Sequence, residues 1–256
     1  MERQLISHIA HADHPIASPI SEANLLRLLR RAKLPSGARI LDLGCGAAVW
    51  SVRLLELYGD ATADGVDLSD AGFADARRMA AEAGVADRLT LHHGSATTFT
   101  AAEPYDLVLC VGATHAFGGL TPSMEAIGGL LAPGGLALVG EGFWERPPGR
   151  EIEAEIGEYA DLPGTVAQAE SAGYHTVYAH VSERGEWYDY EWSWTGTLID
   201  WALRHPGDDG DAAMAAALEH RKMWLDGYRD LLGFVTLLLR RCCSDAPDGR
   251  RVTEGV

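Results

Sequence analysis

Positive charge is scarce in this chain of 256 residues: 21 Lys and Arg stand against 37 Asp and Glu, a formal net charge of −16. Such a surface repels polyanions, so no nucleic acid and no membrane is expected among the partners. Basic residues come at most in pairs, such as Arg30-Arg31 and Arg240-Arg241, too short for a groove tracking a phosphate backbone. Cysteine is sparse too, with Cys45, Cys110, Cys242 and Cys243 as the only four. None makes a Cys-x-x-Cys pair, and adjacent cysteines seldom bridge without strain, which points to reduced thiols in a cytoplasmic protein. No apolar run reaches the ~18 residues of a membrane span, and the N-terminus lacks a charged-then-apolar signal pattern. What remains is a globular composition, 47% hydrophobic, with chain enough for one large α/β domain over 1–256.

The stretch that is present and informative is Arg39–Trp50, RILDLGCGAAVW. Arg-Ile-Leu-Asp-Leu reads as a short buried strand, and Gly44-Cys45-Gly46 stops it. Glycine tolerates positive φ and carries no Cβ, so such a turn lets backbone approach a ligand closely. Val49, Val52, Leu54, Leu55 and Leu57 then give an apolar face of roughly helical spacing. Strand, glycine turn and helix make the nucleotide-binding corner of an open α/β sheet. One more absence narrows the ligand. Ala47, Ala48 and Val49 occupy the place where a dinucleotide fingerprint needs its third glycine. Asp42, two positions before Gly44, would repel the pyrophosphate of NAD and suits a cation. The combination points to S-adenosylmethionine, which bears a sulfonium and an ammonium. Cys45 meets such a ligand through its backbone, its thiol inert.

Along the chain, residues 1–17 read as a polar leader with His8, His11 and His14, and Ser18-Pro19 as a helix start. Strands are expected at Thr62–Val66, Leu89–His92, Tyr105–Val111, Leu136–Gly140 and Val177–Val181. Helices fall between them: one capped by Ser69 and ending near Gly84, one opening at Pro122, one over Thr165–Ala172. The alternation implies a doubly wound, mostly parallel sheet that binds ligands outside the carboxyl ends of its strands. About fifty residues, Ser182–Leu232, then precede the apolar run Gly233–Leu239. This stretch is expected to be a helical, aromatic-rich lid insertion, and Ser244–Val256 a frayed polar tail.

LDLGCG, the acid of GVDLS, YDLVLCVGA and LAPGGLALVGE, in that order and spacing, resemble the class I S-adenosylmethionine-dependent methyltransferases. The resemblance is strong over Leu41–Glu141, and VGATHAFGG, GEGFW and WYDYE are similar to a bacterial subgroup acting on small molecules. It implies a Rossmann-like sheet of seven strands, the last antiparallel, which Gly233–Leu239 would supply. It also implies cofactor contacts from Asp42, Gly44, Cys45, Gly46, Asp67, Leu68, Ser95, Ala96 and Val111. Asp67, 21 positions beyond Gly46, would accept both ribose hydroxyls. Many members carry an acid for the adenine amino group where this chain has Ser95.

Methyl transfer is an in-line displacement in which the protein mainly holds the acceptor close, aligned and dry. A base is needed only where the acceptor loses a proton, and His115 and Glu141 lie beyond the right strand ends for that work. Trp144 would wall the pocket, and His14-Pro15 would touch the site. Trp187, Glu191, Trp194, Leu198 and Trp201, spaced by four, three, four and three, form one stripe on a helix. Glu191 is the anomaly there, since a buried carboxylate needs a partner. With Tyr190 and Trp194 it would favour a cationic or aromatic acceptor. A packed core or a homodimer contact is the competing account of the stripe. The three leader histidines have no acidic or cysteine partner at matching spacing, so no metal is expected. Two rivals remain for function: a non-catalytic S-adenosylmethionine-binding regulator, separable by absence of turnover, and an NAD-dependent oxidoreductase, separable by cofactor titration.

Overall fold

Four of the five residues of β1 (Arg39–Leu43) are buried, and this strand lies inside the sheet, third of its seven strands. Parallel neighbours flank it, β2 (Thr62–Asp67) on one side and β4 (Tyr105–Val111) on the other. The full order is β3-β2-β1-β4-β5-β7-β6, with β3 at Leu89–His93, β5 at Leu131–Trp144, β6 at Tyr174–Val181 and β7 at Leu232–Arg241. The direction of winding therefore reverses between β1 and β4, the switch point where open α/β sheets open a crevice. β7 runs antiparallel to both β5 and β6, closing a seven-stranded Rossmann-like sheet. The description rests on a computed structural model covering Met1–Arg241. Cys242, Cys243 and the tail expected over Ser244–Val256 lie outside the described residues.

Helices cover both faces. On one, α2 (Glu22–Arg31), α3 (Val49–Leu57) and α4 (Phe73–Glu82) bury Leu25, Leu28, Leu29, Val52 and Leu55 against Ile40, Leu107 and Leu138. On the other, α5 (Leu120–Leu130) and α7 (Leu162–Ser171), separated by the short α6 (Arg150–Ile156), pack against Leu41, Val108 and Val139. β4 is buried on both faces, as its unbroken apolar run requires.

Four local expectations need correction. The leader is not polar throughout: Arg3–Ala10 forms α1, with Ile6, Ile9 and fully buried Ala10 packed against the helical insertion. Its apolar positions are too few to stand out among the polar ones, and docking rather than a cap stabilises it. The next helix starts at Glu22, where Ser21 accepts a hydrogen bond from the Asn24 N–H, and not at buried Ser18-Pro19. Ser69 caps no helix, since α4 begins at Phe73 and the Ser69 hydroxyl accepts instead from the Ala71 N–H. β5 is longer than expected because Pro133-Gly134-Gly135 is absorbed as a bulge between the Tyr105–Leu131 and Leu107–Leu136 pairings.

Between β6 and β7 the chain forms α8 (Arg184–Arg204), α9 (Asp208–Lys222) and a π-helical turn, Met223–Tyr228. Leu198 and Ala202 of α8 bury against Ala213 and Ala217 of α9, together with Ala10 of α1. The C-terminal half of the aromatic stripe is thus the insertion's own core.

Candidate functional site

The corner after β1 is tight because of its glycines. Gly44 has φ +79°, and a Cβ there would lie 2.5 Å from the Ala113 Cβ on the loop after β4. The Gly44 and Cys45 N–H groups both donate to the Val66 carbonyl, at 2.8 and 3.1 Å, tying the corner to β2. Asp67 ends β2; its Oδ2 accepts from the Gly46 N–H and its Oδ1 from the Ser69 N–H, each at 2.9 Å. The carboxylate is thereby held rigidly beside the glycine turn, with lone pairs to spare on both oxygens. Ala48, at φ +54°, precedes α3 and offers no side-chain cap, so the first amides of α3 stay open to a ligand oxygen.

Asp42 lies beneath this corner, 3% exposed, accepting from the Ser51 hydroxyl at 2.8 Å. Burial pushes its carboxyl up to about 7; the Ser51 hydrogen bond opposes the shift and the Asp67 charge adds to it. A buried carboxylate poised in this way gains most from a nearby cation. Burial likewise raises the Cys45 thiol far above its usual range, which leaves that thiol unreactive. Ser95 accepts from the Thr97 N–H and opens the short turn Ala96–Thr98 beyond β3. Leu68 is largely exposed on the rim, and Val111 ends β4 opposite Gly140.

Glu141 follows Gly140 on β5, one residue past the last pairing with β4. Its side chain is buried; Oε1 accepts from the Gly142 N–H at 3.1 Å, and Oε2 has no hydrogen-bond partner among the described residues. Burial raises its carboxyl above the usual range, tempered by the neighbouring Thr114 side chain and the Gly142 N–H. Trp144, also buried, packs edge-on against Tyr159 at 6.0 Å, and its indole Nε1 has no hydrogen-bond partner among the described residues. His115 is exposed on the Thr114–Phe117 turn that follows β4.

The insertion brings a second group together. Tyr190 packs edge-on against His14 at 5.5 Å and Trp187 at 6.1 Å. His11 Nδ1–H donates to the Ser7 carbonyl at 2.7 Å, so its Nε2 accepts from the Tyr190 hydroxyl at 3.1 Å. Burial pushes the His11 imidazole down to about 4, which keeps it a neutral acceptor at ordinary pH. Glu191, 1% exposed, spends both oxygens on the insertion itself: Tyr228 O–H donates to Oε1 at 2.6 Å and His220 Nε2–H to Oε2 at 2.7 Å. Trp194 stacks on His220 at 4.1 Å. Glu191 and Trp194 were expected to face the acceptor; their partners here are His220 and Tyr228. Tyr190 alone of the three lies against His14.

Sequence reasoning missed His11, His220, Tyr228, Tyr159 and Glu186. The last ties the insertion to the sheet: it accepts from the Ser21 N–H, Asn24 Nδ2 and His180 Nε2 at 2.7–2.8 Å. The one signal that could have found any of them was Glu191, whose carboxylate in an apolar stripe demanded partners.

The sheet order, the switch point and the acid-held glycine corner define an open α/β protein that binds a nucleoside-type ligand. Comparison with known proteins then narrows it. Residues 40–135 match the family model described as a methyltransferase domain. The uncharacterized protein YjhP of Escherichia coli K12 is 32% identical over 224 residues, covering 85% of this chain and 90% of that one. A SAM-dependent methyltransferase from Geobacter sulfurreducens, solved with S-adenosyl-L-homocysteine, superposes with a TM-score of 0.87 at 28% identity, over 94% and 99% of the two chains. One from Thiobacillus denitrificans, also solved with S-adenosyl-L-homocysteine, gives 0.85 at 27% identity over the same shares. The chain belongs to the class I S-adenosylmethionine-dependent methyltransferases, and S-adenosylmethionine is its cofactor.

The residues present fit that cofactor on their own chemistry. Asp67 offers a carboxylate for ribose hydroxyls and Asp42 a buried anion for positive charge. The approach of Ala113 to Gly44, too close for a Cβ, shows how tightly the loop after β4 closes on the glycine turn.

Proposed function

We propose that the protein methylates a small acceptor held at the carboxyl edge of β4 and β5, beneath a lid formed by the insertion over 182–232. On this reading the whole chain, 1–256, works as one methyltransferase domain. The observation that carries the placement is Glu141, a buried carboxylate with a free oxygen beside the corner. It adjoins Gly140, whose carbonyl accepts from the Gly112 N–H at 3.1 Å, and Gly112 leads directly to Ala113, which touches Gly44. S-adenosylmethionine supplies the methyl group, its C–S bond breaking with the electron pair left on sulfur.

Glu141 accepts the proton that an acceptor hydroxyl or amine gives up as its lone pair forms the new bond. The raised carboxyl suits a base that must capture a proton at neutral pH. The Gly142 N–H orients it. His115, exposed on the adjoining turn, is the second side chain able to take that proton. Trp144, His14 and Tyr190 form the walls, and aromatic walls favour a flat acceptor. A cationic acceptor was expected from Glu191, but that carboxylate is already committed to Tyr228 and His220. Nucleic acid is not the acceptor, given the net charge of −16.

Transfer of labelled methyl from S-adenosylmethionine into a small-metabolite extract tests this reading. Label is expected in the small-molecule fraction and not in tRNA, rRNA or DNA. Glu141→Gln is expected to lower the rate about 100-fold or more, and His115→Ala far less. Label in nucleic acid, or full activity in Glu141→Gln, would overturn the assignment.

A further inference from the structure

Among the described residues eight large apolar side chains are exposed, and four of them, Trp192, Leu203, Leu218 and Leu225, belong to the insertion. Leu203 is 70% exposed and Leu218 51%. They are not scattered. Trp192, Gly196, Ile199 and Leu203 are spaced by four, three and four, which sets them in one stripe along α8. Met214, Leu218, Arg221 and Leu225 repeat that spacing along α9 and the π-helical turn. Arg221 joins the two stripes on one side of the helix pair. Its guanidinium lies 5.1 Å over the Trp192 ring, and its Nη2–H donates to the Thr195 hydroxyl at 3.1 Å. Single exposed apolar residues are ordinary on a protein surface, whereas a continuous face of them marks a contact.

The order of residues in the stripes selects the partner. Trp192 and Leu203 share a midpoint with Gly196 and Ile199, beside Leu198. Asp211 and Lys222, both exposed on α9, are centred beside Ala217, which is buried in the same cluster as Leu198. A half-turn about an axis crossing both helices at that level therefore lays Trp192 of one copy over Leu203 of another, and Ile199 over Gly196. Gly196 has room to receive it, since a Cβ there would meet nothing within 4 Å. The same rotation brings Asp211 of one copy to Lys222 of the other. Asp211 stands three residues before Met214 and Lys222 four after Leu218, so both flank the apolar stripe. Shape and charge are thus self-complementary, as a two-fold interface requires. A chain of net charge −16 repels its own copies wherever acids face one another, and neither stripe contains one.

We propose that the protein forms a two-fold dimer through this face of the insertion, with α8 on α8 and α9 on α9 in antiparallel pairs. The dimer is independent of where the acceptor binds.

Light scattering and sedimentation equilibrium on the full chain test it, and a mass twice that of one chain is expected. Leu203→Glu and Gly196→Glu each set an unpaired acid in the face and should weaken dimerisation about 100-fold or more. Both positions are open in the single chain, and glutamate suits a helix better than glycine, so circular dichroism should show each variant folded. Val177→Glu, on the exposed edge strand β6, is the control and should leave the dimer unchanged. Charge exchange then isolates the geometry. Asp211→Lys and Lys222→Asp should each weaken dimerisation about fivefold, and the double exchange should restore it. Within one chain the two positions are about 16 Å apart along α9, so restoration can come only from contact between copies. A monomer at every concentration, a dimer indifferent to both glutamates, or a double exchange no better than the single ones would overturn the inference. Monomers that bind phosphatidylcholine vesicles, and lose that binding in Leu203→Glu, would overturn it too and give the face to a membrane.

Discussion

At the glycine corner the two carboxylates find partners on adjoining elements, Asp42 on helix α3 and Asp67 on the turn after β1. Ser51 is nine residues from Asp42, and Gly46 is 21 from Asp67. In the insertion the partners lie far apart in the chain. Glu191 reaches His220 29 residues on and Tyr228 37 residues on, while Glu186 bonds back to Ser21 and Asn24 across 165 and 162. The corner is a local motif serving a cofactor of fixed shape. The insertion is held by hydrogen-bond knots around two carboxylates, Glu191 with His220 and Tyr228, and Glu186 with His180, Ser21 and Asn24.

The largest effect should come from the insertion's knot. Glu191→Ala leaves the buried Tyr228 hydroxyl and the partly exposed His220 imidazole without their acceptor and should cost about 3 kcal/mol of unfolding free energy. Glu191→Gln keeps the shape and should cost less than half of that. Urea denaturation of the two variants measures both, and equal small losses would mean that the knot is not buried in solution.

Glu186 sharpens the same contrast through pH. Burial alone would raise its carboxyl, yet hydrogen bonds from Asn24, the Ser21 N–H and the Glu183 N–H outweigh it and bring it down to about 2. A carboxyl depressed in the folded state stabilises the fold above its ordinary range near 4.5. That stabilisation is lost as pH falls from there through 2. Glu186→Gln should therefore flatten the acid limb of a melting-temperature profile between those values and lower stability by about 2 kcal/mol at pH 7. A profile identical to that of the parent protein would remove Glu186 from the account.

On the cofactor side the effects are on binding. Burial pushes the Asp42 carboxyl up to about 7; in the proposed role of anion facing the cofactor's positive charge, it should make affinity for S-adenosylmethionine rise through that pH and fall up to about tenfold per unit below it. Ser51→Ala removes the hydrogen bond that favours the ionised form, so this rise should move to higher pH. Calorimetric titration across pH reads both, and a pH-independent affinity would contradict them.

Legibility in the sequence follows the same divide. Gly44-Cys45-Gly46, the acid 21 residues later and the apolar run Tyr105–Val111 made the sheet and the cofactor corner readable, because each is a short-range requirement of backbone geometry. α1 was unreadable because Ile6 and Ile9 acquire meaning only against Ala213 and Leu198, some 200 residues away. The acceptor side was half readable. Glu141 and Trp144 lie in the last residues of β5, but Tyr159 and Trp187 join Trp144 from separate segments. Glu191 announced that it needed partners, and nothing local named His220 or Tyr228.

The central claim is that cofactor and acceptor chemistry are carried by separate carboxylates, Asp67 at the corner and Glu141 at the edge. Titration of S-adenosylmethionine into both variants, paired with single-turnover methyl transfer at saturating cofactor, tests it most directly. Asp67→Ala should weaken cofactor binding by about 1–3 kcal/mol and leave the saturated rate near that of the parent protein. Glu141→Gln should leave cofactor affinity unchanged and lower the saturated rate about 100-fold. Unchanged affinity in Asp67→Ala, or weakened cofactor binding with an unaltered rate in Glu141→Gln, would contradict the account.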